Sequence, residues 1–286
     1  MIFRPWRGVI GAIAMMVSLL FPGSWSVAQD AKSASKLKNI DLCNGIDRSS
    51  PDPQIIGCTA LIDAGNDTPR VLAIAHNNRG DALIAKGDYD SAIADYDAAI
   101  KLDPTYAKPF NNRGVAYLKK GEYAHAIEEF NQAIKLNPTY ASAFANRAET
   151  YKKERDYARA AQDYDNAIRI KPDEEVVWNE RCWTRAILGQ LQLALADCGE
   201  ALRMRPNDAN AHDSRGLVYL KMGQFDSAIE SYSHALRFEP KLATALYGRG
   251  LARLKKGDIS GGNGDLTEAK SLEPKIADEF SRYGVQ

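Results

Sequence analysis

"KGDYDSAIADYDAAIKLDPTYA" occupies residues 86–107, and "KGEYAHAIEEFNQAIKLNPTYA" follows at 120–141, an offset of 34 residues. The tetrad "NNRG" at 77–80 returns at 111–114 with the same offset. A fixed period of this length marks a repeat array and is settled before any shorter motif is read. The period runs from Ala73 to Ile276 as six units, 73–106, 107–140, 141–174, 175–208, 209–242 and 243–276. Position 8 of the unit is small throughout: Gly80, Gly114, Ala148, Cys182, Gly216 and Gly250. Position 20 is Ala in five units and Gly262 in the sixth; position 27 is Ala and position 32 is Pro in all six. Position 24 carries Tyr96, Phe130, Tyr164, Cys198, Tyr232 and Leu266.

Each unit reads as two helices with a turn near position 15, where Gly87, Gly121, Gly189, Gly223 and Gly257 fall. Small residues at 8 and 20 let the two helices approach, with the large residue at 24 filling the space beside that contact. Proline at 32 lacks an N–H and disfavours helix before it, so it ends the second helix on schedule. One hairpin cannot bury its own apolar face, but stacked hairpins can. The pattern resembles the tetratricopeptide repeat family over 73–276. That resemblance implies an all-α, right-handed solenoid whose first (A) helices line a concave groove. It implies little about activity, because a fold does not fix function.

The Arg of "NNRG" is position 7, and Arg79, Arg113, Arg147, Arg181, Arg215 and Arg249 repeat it. Position 23 answers with Asp95, Glu129, Asp163, Asp197, Ser231 and Asp265. Arg–carboxylate pairs between the two helices of a unit explain both columns, so an anion-binding ladder is the weaker reading. Asn78, Asn112 and Asn146 at position 6 are expected to form turn or inter-helix hydrogen bonds.

The ends depart from the period. Arg4 and Arg7 precede an apolar run from Val9 to Phe21, then "PGSWSVAQD". This reads as a signal peptide, residues 1–28, cleaved near Ala28/Gln29. The run is short for a membrane span, and an uncleaved anchor is the alternative. Residues 29–38 are expected to be a disordered leader, 39–72 a degenerate helical cap, and 277–286 a capping helix with Phe280 at position 4. In the oxidising compartment that export implies, the four cysteines should pair. Proximity in sequence favours Cys43 with Cys58, stapling the cap, and Cys182 with Cys198, inside unit four. Buried thiols are the alternative for the second pair, because positions 8 and 20 are expected to be the closest.

Basic and acidic residues balance at 37 each, which argues against nucleic acid as a partner. The histidines show no metal-ligand spacing, and no nucleophile or phosphate-loop motif appears, so no catalytic residue, metal or cofactor is expected. The groove positions implied by the resemblance carry Lys108, Lys119, Lys152 and Lys153 in units two and three. They carry Val176, Asn179, Trp183 and Ile187 in unit four, Leu217 in unit five, and Tyr247 and Leu251 in unit six. Units four to six thus present an apolar stripe, with Trp183 as its expected anchor; packing against neighbouring A helices is the competing reading. The carboxylate clamp of the family is not met, since Asp81, Val115 and Glu149 stand where Asn is first required. The expected function is a non-catalytic scaffold of the cell envelope, periplasmic or secreted. It would bind a peptide segment of a protein partner, as a monomer or weak homo-oligomer, with no membrane span in the mature chain. Alternatives are an assembly factor acting through its end caps or self-association, and an enzyme with a groove-built site.

Overall fold

The computed structural model describes residues 22–46 and 50–285. The apolar run assigned to a signal peptide lies outside them. Fifteen α-helices form the regular structure of the described residues, with no strand among them. Helices α1 (Pro22–Cys43) and α2 (Asp52–Ala64) make an opening hairpin. Six more hairpins follow: α3 (Pro69–Lys86) with α4 (Tyr89–Leu102), α5 (Ala107–Lys120) with α6 (Tyr123–Leu136), and α7 (Ala141–Lys153) with α8 (Tyr157–Ile170). The series continues with α9 (Glu175–Ile187) and α10 (Leu191–Met204), α11 (Ala209–Lys221) and α12 (Phe225–Phe238), and α13 (Ala243–Lys255) and α14 (Ile259–Leu272). A short α15 (Ile276–Arg282) closes the described chain. Each helix packs on its hairpin partner and on the next hairpin, which is an α-solenoid.

The sequence sets these boundaries. Five A helices begin at position 1 of their unit, and all six second (B) helices run from position 17 to position 30. Gly87, Gly121, Gly189, Gly223 and Gly257 end their A-helix turns at φ between 72° and 85°, the left-handed conformation glycine adopts without a Cβ penalty. Asp88, Asp156 and Asp258 at position 16 then cap their B helices. Two expectations are corrected at the N-terminal end. Helix α3 starts at Pro69 rather than position 73, because Thr68 accepts a cap bond from the Val71 N–H. Residues 29–38 are part of α1, not a disordered leader; "QDAKSASKLK" contains no Gly or Pro to interrupt a helix that the cap hairpin anchors at its far end.

Both expected disulfides are present, Cys43–Cys58 and Cys182–Cys198. The internal packing of a unit differs from expectation in one respect. The position-24 ring lies directly on position 8; the expected 8–20 approach is also present in unit six, where a Cβ added to Gly250 or Gly262 would stand 3.0 Å from the other's carbonyl oxygen. A Cβ added to Gly80, Gly114 or Gly216 would stand 2.6, 2.7 and 2.6 Å from the rings of Tyr96, Phe130 and Tyr232. Positions 8 and 24 are therefore natural contact partners, and in unit four the Cys182–Cys198 bridge replaces the glycine–ring contact. The rings of Tyr96, Phe130 and Tyr232 are fully buried.

Candidate functional site: the concave face

The arginine column is structural. Arg79, Arg147, Arg181 and Arg249 each grip the position-23 carboxylate of their own unit through two nitrogens at 2.6–2.9 Å. Arg113 holds both Glu129 oxygens through Nη2 alone, at 2.7 and 2.8 Å, while Arg215 meets the Ser231 hydroxyl at 3.2 Å in place of a carboxylate. Burial pushes the Asp95 carboxyl up, but Arg79 and His76 together hold it below the usual carboxylate range. A second column went unread in the sequence. The position-7 arginine also reaches back to position 25 of the preceding unit: Arg113 to Asp97, Arg147 to Asn131, Arg181 to Asp165 and Arg249 to Ser233. One guanidinium thus ties its own hairpin together and ties that hairpin to the one before it. The chemical variety at position 25 hid this column.

The A helices of units one to three are joined by a polar ladder. Asn78 Nδ2 donates to the Cys43 carbonyl, Asn112 Nδ2 to Asn77 Oδ1, and Asn146 Nδ2 to Asn111 Oδ1. The inter-helix role expected for position 6 is the observed one. Asp81 is a hub, accepting from the Tyr96 hydroxyl at 2.9 Å, Asn112 Nδ2 at 2.6 Å and Lys108 Nζ at 3.0 Å. Lys108 is therefore bound to its own protein. Lys152 pairs with Glu149 and Glu180 and lies over the Trp183 ring; burial works against its charge, yet the two glutamates raise its pKa. Lys153 pairs with Glu149 at 3.5 Å, and Lys119 is exposed.

Beyond unit three the ladder stops. Position 6 becomes Ser214 in unit five and Gly248 in unit six, neither of which supplies an amide donor. Two position-5 acceptors are stranded: Asn179 Oδ1 and Asp213 Oδ1 are buried with no partner among the described residues. Thr244 Oγ1 donates to the other Asp213 oxygen at 2.7 Å, and burial pushes the Asp213 carboxyl up to about 7. Small residues at position 6 bring close packing instead. A Cβ on Gly248 would lie 2.2 Å from the Tyr232 ring, and α9, α11 and α13 press together more extensively than α3, α5 and α7.

Most of the apolar stripe is covered, which corrects the expectation of a bare groove. Leu217 is 4% exposed, and α15 with the residues after it lies over the stripe. Ile276, Phe280 and Val285 are buried against it. The Phe280 ring packs on Tyr247 with centroids 4.8 Å apart, and the Tyr283 ring meets Trp183 edge-on at 5.3 Å. Trp183 also contacts Tyr157 at 5.8 Å and is half-buried. Ile187 and Leu251 pack against the same cluster, Asn179 is half-buried, and Val176 is 53% exposed. Of the side chains expected to meet a partner, Trp183 and Tyr247 thus meet the chain's own segment 276–285, whereas Val176 stays open. A cleft of about 310 Å³ remains where unit three meets this segment, lined by Glu149, Lys152, Lys153, Arg155, Tyr157, Trp183, Arg282 and Tyr283. Arg155 adopts φ 65° at position 15, where the other five units have glycine. A left-handed conformation costs a side-chain-bearing residue about 1–2 kcal/mol, so the cleft is bordered by strained backbone.

The helical hairpins and their 34-residue period agree with family comparisons. A TPR repeat model matches residues 80–121 and 216–257, and two tetratricopeptide repeat models match 107–140 and 129–162. The chain is a tetratricopeptide repeat protein. Solved tetratricopeptide structures share its architecture. A tetratricopeptide repeat protein from Parabacteroides merdae is 17% identical, with 88% of this chain and 99% of that chain covered and a TM-score of 0.64. PilW, a type IV pilus biogenesis factor, is 19% identical over 71% of this chain and 94% of its own, also at 0.64. YrrB, described as having an unusual peptide-binding site, is 21% identical over 65% and 97%, at 0.53. Curated proteins give no match. Identities at this level show the tetratricopeptide fold alone.

Proposed function

We propose that this tetratricopeptide protein is an exported, non-catalytic scaffold that binds a peptide segment of a protein partner on its concave face. The observation that carries the reading is the cleft at the junction of the polar and apolar halves. Tyr157 and Trp183 offer an apolar anchor point, while Lys153 and Arg155 offer cations at its rim. Such a site suits an aromatic or aliphatic anchor flanked by acidic residues. The peptide-binding description of YrrB and the pilus role of PilW are in keeping with a binding function at the cell envelope. Two intrachain disulfides suit an oxidising compartment, and no helix among the described residues is long and apolar enough to cross a membrane. A photo-crosslinker at position 153 should capture a protein from the producing cell's envelope, and Trp183→Ala should abolish that capture. Equal capture from a crosslinker at position 199 on α10 would move the site away from the groove.

A further inference from the structure

The segment Ile276–Val285 occupies the groove of units four to six, and its attachment is lopsided. Its apolar contacts are extensive: Ile276, Phe280 and Val285 are 0%, 3% and 8% exposed. Among the described residues its polar attachment to the groove is a single bond, Lys221 Nζ donating to the Tyr283 carbonyl at 2.6 Å. Lys221 is half-buried, burial lowers its pKa, and it faces a neutral carbonyl rather than a carboxylate. An ammonium held this way is poorly compensated. Helix α15 is seven residues long, far below the length at which a helix is stable by itself. It meets α13 and α14 through far fewer neighbours than successive hairpins share. The segment is thus helical only because the groove holds it, and the groove holds it with a charge left unmatched.

We infer that Ile276–Val285 is a built-in occupant of the groove, displaced by a partner's amphipathic helical segment that carries two aromatic side chains three residues apart and a carboxylate placed to meet Lys221. The aromatic spacing is that of Phe280 and Tyr283, whose rings fill the places over Tyr247 and beside Trp183. The carboxylate is what the present occupant lacks. Replacing the Tyr283 carbonyl by a charged acceptor gives Lys221 a charge-assisted hydrogen bond, about twice as strong as one to a neutral group. This inference rests on the groove-binding reading above and adds a gate and a ligand pattern to it.

Hydrogen exchange on the full chain tests the gate. Amides of 280–285 should exchange at least tenfold faster than the central amides of α13; equal protection would overturn the gate. A fluorescently labelled peptide of residues 274–286 then tests the receptor in trans. Tyr283→Ala, which leaves Ile276 and Phe280 to cover the core, should bind it at least tenfold more tightly than the unsubstituted protein. Adding Trp183→Ala should remove that binding. A peptide variant with Glu in place of Gly284 should bind more tightly than the parent peptide, and Lys221→Met should erase the difference. Equal binding to Tyr283→Ala and the unsubstituted protein would show that the segment does not compete. Rapid exchange with no peptide binding to Tyr283→Ala would instead overturn the groove-binding reading, so the two failures are distinguishable.

Discussion

The two halves of the concave face solve one problem in opposite ways. Between units one and three the A helices are joined by side-chain amides, each position-6 Asn donating across the seam. Between units four and six the position-6 amides are gone, small residues allow closer packing, and apolar side chains with an added helix do the joining. The first solution satisfies every acceptor on its line and leaves a polar surface. The second leaves Asn179 Oδ1 and Asp213 Oδ1 stranded and makes an apolar surface that needs covering. A ladder of hydrogen bonds fixes register at small net energy, whereas apolar burial supplies energy and is indifferent to which helix covers it. That indifference is what suits the second half to exchange one occupant for another.

The largest effect expected concerns the bridge in the apolar half. Replacing Cys182 and Cys198 together by Ser should cost about 3 kcal/mol in chemical denaturation. Replacing them by Gly and Tyr, the pairing found at positions 8 and 24 of units one and five, should recover most of that loss and make stability insensitive to reductant. Failure of the Gly/Tyr pair to recover stability would show that unit four is not interchangeable with its neighbours.

Asp213 gives the next test. Its carboxyl titrates near 4 when unfolded and at about 7 when folded. Between those values the native state keeps a proton that the unfolded state releases, so stability falls as pH rises from about 4 to about 7 and is level above. Asp213→Asn should remove that slope, stabilising the protein at pH 8 and scarcely at pH 4. Equal effects at both pH values would mean that Asp213 is charged throughout. In the polar half the matching change is Asn112→Ala, which strips a donor from Asn77 Oδ1 and from Asp81. It should destabilise by about 1.5 kcal/mol with no pH slope, measured by the same denaturation curve.

Much of this architecture is legible in the sequence because the period repeats the same physical instructions. Gly at 15 turns the chain, Pro at 32 ends the B helix, and Arg at 7 faces an acid at 23. The misreadings have definite causes. Small residues stand at both 8 and 20, so composition cannot say which one bears the position-24 ring; the glycine–Tyr96 and glycine–Phe130 contacts decide for position 8. The links from position 7 to position 25 of the preceding unit were hidden because Asp97, Asn131 and Ser233 share hydrogen-bonding capacity rather than charge. Phe280 at position 4 reads as a capping residue from its phase alone. Nothing in phase announces that Tyr283 meets Trp183, exactly one hundred positions earlier, because that contact depends on the curvature of the whole array.

The disulfides have a consequence for biogenesis. Their partners are 15 and 16 residues apart, each pair within one hairpin, and the two pairs are separated by more than a hundred residues. For the exported protein proposed above, a chain emerging N-terminus first into an oxidising space presents Cys58 while Cys43 is its sole available partner, and closes that bridge long before Cys182 appears. Oxidation in order of appearance is then already native pairing, and maturation can proceed with a simple thiol oxidase and no isomerase to reshuffle mistakes.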